Sequence, residues 1–299
     1  MPYDQNDPRS KLSTAGGAPS GTPRPATYRQ LHHSPADERH QKGSQTWWTR
    51  SQAMVIAHTE AEANDMLAVT TAGEYALLVL DGARVHVEAE PGSETVDEDS
   101  VVIVPPGSST VQVGAAGNVV RIFAAAVEPE LAARCVNHAD YQPADDNVAE
   151  YVAWPAPPEG ERVRVYPLAV HPGEAGRLGR IFRCSTVMVN VFEPVDDPRD
   201  PTKMSPHHHD DFEQVSLQMD GNYVHHMRVP WTPDMTTWRD DEHEKCEGPS
   251  VLVIPPPIIH TSQAVGEMRH FLIDVFAPPR MDFSERPGWV LNADDYPMP

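Results

Sequence analysis

Cysteine is scarce in this 299-residue chain: Cys135, Cys184 and Cys246 are widely spaced, and no two form a CxxC pair. An odd, scattered set builds neither a disulfide framework nor a zinc knuckle, so a reducing cytoplasm is the expected compartment. Long apolar runs are missing too, and none approaches the ~20 residues that cross a bilayer. The first residues carry Asp4, Asp7, Arg9 and Lys11 without an apolar segment, unlike a secretory leader. Positive charge is short as well, with 23 Lys and Arg against 44 Asp and Glu and a formal net charge of −21. A phosphate backbone or an anionic membrane surface would be repelled, which excludes both as partners and leaves a small molecule. There is no GxSxG elbow and no phosphate-binding GxxxxGK(S/T) loop, and Gly173-Glu-Ala-Gly176-Arg-Leu-Gly179 lacks the spacing of a dinucleotide fingerprint.

Proline, by contrast, is abundant, with 31 residues, about twice the usual share. That density favours strands and turns over helices. Residues 1–44 are rich in Pro, Gly, Ser, Thr and charge with no apolar period, the pattern of a flexible arm. From Thr46 onward, short runs of β-branched and aromatic residues alternate with turn signals: YALLVL before Asp81-Gly82, ARVHVEAE, SVVIVPPG and NVVRIFAAAV. A Pro-rich stretch from Pro143 to about Gly160 separates this block from a second one. The expected organisation is all-β, with an N-terminal barrel over 45–145 and a C-terminal barrel over 160–292.

An internal repeat supports the division. Gly73-Glu74-Tyr75-Ala-Leu-Leu-Val-Leu-Asp81-Gly82 matches Phe212-Glu213-Gln214-Val-Ser-Leu-Gln-Met-Asp220-Gly221 at an offset of 139, and Ser100 to Gly107 matches Ser250 to Pro257 at an offset of 150. The second copy is therefore longer between these segments, where the loop from Pro230 to Glu247 lies. Extra length at a barrel mouth is a usual place for specificity.

The second copy also carries histidines. In Pro206-His207-His208-His209-Asp210-Asp211-Phe212-Glu213-Gln214, an extended backbone puts His207 and His209 on one face, a ready chelate. His260 follows the apolar strand and turn that starts at Val251, so it faces an interior. In the first copy the equivalent positions hold Ala68, Thr70 and Thr110, none of them a metal ligand set. That barrel is expected to be metal-free and structural, a packing or dimerisation partner in a homodimer.

These segments resemble the two sequence motifs of the cupin superfamily, the RmlC-like jelly rolls. His207, His209 and Gly221 fit the first motif, G-x5-H-x-H-x3-4-E-x6-G, and Gly248, Pro255 and His260 fit the second, G-x5-P-x-G-x2-H-x3-N. The leading Gly of the first motif is missing, Pro257 replaces the second Gly of the second, the gap before Pro255 is one residue longer, and no Asn follows His260. The resemblance covers about 240 residues as a bicupin. It implies two tandem cupin (double-stranded β-helix) barrels, with one divalent metal ion in the C-terminal barrel on His207, His209, His260 and a fourth ligand. Spacing to Gly221 favours Gln214 for the fourth, and Glu213 remains the carboxylate alternative.

Strand alternation from an inward Gln214 places Ser216 and Gln218 beside it as substrate-orienting groups. Of the adjacent His225 and His226, one faces inward as a general base, and His226 is preferred. Arg228 and Trp231, and also Arg269, are further candidates to hold a carboxylate or stack on a ring. His243, in an acidic loop, is expected in solvent. The resemblance implies three activities. The first is a non-haem Fe(II) dioxygenase acting on a small organic molecule. The second is a metal-dependent isomerase or lyase of a small carbonyl or sugar-acid substrate. The third is a non-catalytic binding bicupin. Fe(II) is the preferred ion in this reading, with Mn, Ni or Zn also fitting such donors.

Overall fold

Runs such as Tyr75–Leu80 (YALLVL) and Ser250–Ile254 (SVLVI) have no polar face, so both sides of each strand must be covered. The computed structural model, which describes residues 22–299, shows what covers them. In the first half a seven-stranded sheet, in the order Arg164–Pro167, Ser100–Val104, Tyr75–Leu80, Gly117–Ala124, Met54–Ala61, Gln45–Arg50 and Glu38–Arg39, faces a four-stranded one. The four strands are Met66–Thr71, Gly107–Ala115, Arg84–Ala89 and Gly92–Val96. In the second half a six-stranded sheet, in the order Thr27–Gln30, Ser250–Ile254, Gln214–Asp220, Phe271–Phe276, Met188–Val191 and Arg180–Arg183, faces Glu242–Glu247, Asn222–Arg228 and Ile259–Val265. Each half is thus a jelly-roll sandwich of two facing antiparallel sheets. Among the described residues no helix is long and apolar enough to cross a membrane.

The period of two assigns each strand's side chains to two cores. Leu77 and Val79 point into their own sandwich, where they join Val87, Val111 and Phe123. Leu78 and Leu80 point the other way, into a core shared with Val215, Leu217, Val251 and Ile273 of the second half. The two large sheets therefore pack back to back, which is why their strands carry no polar face.

The halves also exchange edge strands. Thr27–Gln30 pairs with Ser250 to Val253 of the second half, and Arg164–Pro167 pairs with Ser100 to Ile103 of the first. This corrects the expected division: neither unit is confined to 45–145 or 160–292. It also corrects the flexible arm over residues 22–44, where Leu31 is fully buried and Glu38–Arg39 pairs with Gln45 and Thr46. An edge strand needs only main-chain donors and acceptors, so it leaves no hydrophobic period in the sequence. Residues 1–21 of the expected arm lie outside the described residues.

Two buried carboxylates at repeat-equivalent positions tie the halves together. Glu74 accepts hydrogen bonds from Ser185 N (3.1 Å), Ser185 Oγ (2.6 Å) and Tyr296 OH (2.9 Å) of the second half. Glu213 reaches the opposite way and accepts from Ala53 N at 2.9 Å, at the turn between Gln45–Arg50 and Met54–Ala61. Burial pushes the Glu213 carboxyl above its ordinary range. A Glu213→Ala variant strands a buried N–H, so urea unfolding should show a loss of about 1–3 kcal/mol. Its metal content should match the wild type, because the side chain faces the other half. A variant that kept its stability and lost metal would reverse this assignment.

Register repeats as faithfully as sequence. Ala68 pairs with Thr110 in the first half, and His207 bridges His260 in the second. Tyr75, equivalent to Gln214, fills the first interior, with its hydroxyl 3.0 Å from Ser109 Oγ and its ring against Phe123.

Candidate metal centre

The centre is assembled by backbone pairing. His207 N donates to His260 O (3.1 Å) and His260 N donates to His207 O (2.7 Å), so the two imidazoles rise side by side with ring centroids 4.3 Å apart. His209, two residues on, joins the same face at 5.1 Å from each. The ligand atoms of His207, His209 and His260 lie within 4.8 Å of one another. His207 Nδ1–H donates to Ser205 O (3.0 Å) and His260 Nδ1–H to Ile258 O (2.9 Å), so each ring presents the Nε2 lone pair. Burial, then the neighbouring His207 and His260 and the Arg280 cation, hold His209 well below its ordinary pKa. The neutral imidazole so favoured is the form that binds a metal.

Gln214 Oε1 accepts a hydrogen bond from His209 Nε2 at 2.9 Å, a bond that gives way to a shared ion when both atoms bind one. Two donors at right angles, each about 2.1 Å from one ion, lie about 3 Å apart, so this spacing is that of adjacent ligands. The donor set therefore fits a divalent ion: three neutral nitrogens and one amide oxygen. Its open side faces a cavity of about 540 Å³ lined by His207, His260, Gln214, Asp274, Tyr223 and Phe192, among others.

No protein-family profile matches the chain, and no curated protein matches its sequence. Solved structures are similar in fold. The oxalate decarboxylase of Lactobacillus farciminis, in a formate complex, aligns with a TM-score of 0.56 over 88% of this chain and 88% of its own, at 13% identity. That of Bacillus subtilis aligns with a TM-score of 0.55 over 86% and 78%, at 12% identity, and one description of it names Mn(II) centres. The fold is that of a bicupin. At such identity the likeness establishes the fold alone.

Within this fold the residues singled out from sequence separate clearly. Glu213 is corrected as a metal ligand, since strand alternation turns it into the contact with Ala53 while Gln214 faces the imidazoles. His226 is corrected as the inward base: it lies on the outer face with its Nδ1 2.7 Å from His243 Nδ1. Along Asn222–Arg228 the buried residues are Tyr223, His225 and Met227, so His225 takes the interior. Its Nδ1 is 2.8 Å from Ser262 Oγ and its Nε2 3.2 Å from Gln218 Oε1. Burial pushes it down to about 4, so it is neutral at pH 7.

Ser216 does lie beside Gln214. Gln218 is buried but braces a turn, donating to Gly221 O (2.7 Å) and Cys246 O (3.0 Å). Arg228 is exposed and forked onto Asp241. Trp231, 75% exposed, stacks on Trp238 at 4.4 Å in the long loop. Neither Arg228 nor Trp231 lines the cavity with the imidazoles. Arg269 bridges Asp81 and Asp220, joining the Asp-Gly turns of the two copies.

One residue of the site, Asp274, and one buried neighbour, Asn190, went unnoticed in the sequence. Asp274 lines the cavity and pairs across the sheet with Ser216 and with Asn190. The available signal was a lone acid inside the apolar run FLIDVF. Asn190 is fully buried, and neither its Oδ1 nor its Nδ2 has a hydrogen-bond partner. Gly179 makes room for that carboxamide, since a Cβ there would stand 2.1 Å from Asn190 Oδ1. This explains one of the glycines in the 173–179 motif.

Proposed function

We propose that this chain is a metal-dependent enzyme of lyase or isomerase type that acts on a small oxygen-bearing organic molecule in its second sandwich. The observation that carries the reading is the donor set itself, three imidazoles and Gln214 Oε1 opening on a cavity of about 540 Å³. A divalent ion bound there supplies Lewis-acid polarisation of a substrate carbonyl or oxyanion. The neutral donors leave its charge largely unquenched. Around it, the Tyr223 phenol offers a hydrogen bond to orient a bound molecule, and Asp274 adds a carboxylate to the wall.

The neighbours in fold are oxalate decarboxylases, one described with Mn(II), which supports the lyase side of the reading and makes Mn(II) the first ion to test. The preference for Fe(II) and dioxygenase chemistry finds no support there. Oxalate itself suits this cavity poorly. The volume far exceeds a dianion of that size, and the lining Arg199 is engaged by Ser262 O, Lys203 O and Ser205 Oγ. We therefore favour a larger, less charged substrate.

Mn(II) at a hundred times its dissociation constant should stabilise the fold by about 2.7 kcal/mol, a rise of several degrees in melting temperature that a chelator reverses. Turnover of carbonyl compounds by the Mn(II)-loaded protein should continue under argon. Strict oxygen consumption with turnover would instead establish the dioxygenase.

A further inference from the structure

Glutamine is an ambiguous ligand, because one carbon carries a good oxygen donor and an NH2 with no lone pair to offer, exchanged by a half-turn of the amide. The choice is made behind the ligand. Gln214 Nε2 donates to Ser216 Oγ at 2.9 Å and to Asp274 Oδ1 at 3.0 Å, and Ser216 Oγ donates to the same oxygen at 2.6 Å. All three residues are buried. Asp274 Oδ1 accepts from both groups, so it holds the NH2 on its own side and leaves Oε1 toward His209. Sheet register supplies the geometry: Ser216 and Gln214 share a strand face, and Asp274 is the cross-strand partner of Ser216.

We propose that Asp274 is the positioning residue that makes Gln214 an oxygen ligand, so that this site carries its carboxylate one layer behind the donor set. The proposal rests on the metal reading above. It implies that the effect of Asp274 depends on which residue occupies position 214. With Gln214, Asp274→Asn substitutes a group that donates as readily as it accepts, and the amide loses its preferred orientation. With Glu at 214, both oxygens are equivalent and no orientation remains to be chosen.

The experiment is calorimetric titration of Mn(II) into the purified full chain, in a four-variant cycle of wild type, D274N, Q214E and Q214E/D274N. Circular dichroism of each metal-free variant monitors the fold. D274N should weaken Mn(II) binding about 10–100-fold in the Gln214 background, the usual scale for a residue that orients a ligand. In the Q214E background the same change should cost nothing. If metal-free D274N is unfolded, Ser216→Ala is read in the same two backgrounds, with about a 2–10-fold loss expected beside Gln214 only. Equal losses in both backgrounds would mean a merely structural role and overturn the proposal. So would an unchanged D274N beside a His260→Ala variant that no longer binds, a result that leaves the metal site standing. Failure of the wild type to bind Mn(II) would overturn both.

Discussion

Replacing His260 by alanine is expected to strip the divalent ion from the protein, with Mn(II) affinity falling at least 100-fold, beyond the usual range for a residue that only orients a ligand. His260 is the keystone because its backbone is bonded to His207 in both directions and its ring lies 4.3 Å from that of His207 and 5.1 Å from that of His209. Without its Nε2 the remaining donors come from a single segment, 207–214, and no longer surround a point. The fold should survive, since those backbone bonds are kept and the lost ring is not part of either large apolar core. Elemental analysis after dialysis, or the Mn(II) resonance signal, reads the result directly. His226→Ala, on the outer face, is the matched control and should retain its metal. A His260→Ala protein with full metal content would remove the site from the molecule altogether.

Acid should unfold the protein in a window to which two histidines outside the donor set contribute, beside the buried His209. Burial holds His58 of the first half and His225 of the second at about 4, whereas an unfolded histidine titrates near 6.5. Between those values the unfolded chain takes up protons that the folded chain refuses. Stability is therefore full above about pH 6.5 and falls as pH drops toward 4. Each histidine accounts for roughly 3 kcal/mol over that range. Together they rival the 5–15 kcal/mol that usually separates folded from unfolded. The measurement is the urea midpoint at a series of pH values in chelator, so that metal release does not contribute. A double variant, His58→Gln with His225→Gln, should flatten part of the curve, with the remainder left to His209. The glutamine can keep a bond to Asn118 at position 58 and to Ser262 or Gln218 at position 225. A wild-type midpoint that stays level down to pH 4.5 would show that these two rings accept protons in the folded state.

Some of this architecture could be read from the chain directly. The strand runs, the repeat and the His207, His209 and His260 pattern all rest on local rules: the period of two, turn residues, and a two-residue chelate. The resemblance to the first cupin motif ranked Gln214 above Glu213 by its distance from Gly221. The local rules did not reveal that Glu213 has its own task, matched by Glu74 across the repeat, because that task is a contact between halves 160 residues apart in sequence. The choice between His225 and His226 failed for a related reason. Alternation says that one of two neighbours faces inward, and only an anchor such as the buried Tyr223 and Met227 says which.

The arm and the division into halves show the same limit. Thr27–Gln30 has no apolar period and nonetheless forms an edge of the second sandwich, since a ladder of main-chain bonds is blind to side chains. The sequence by itself determined an all-β duplication with imidazoles on one strand face of its second copy. Tertiary structure alone decided what stands behind those imidazoles. Asp274 meets Gln214 from 60 residues away because antiparallel register lays its strand beside Gln214–Asp220. Register is a property of the whole sheet, set by which faces are buried, and no window of sequence contains it.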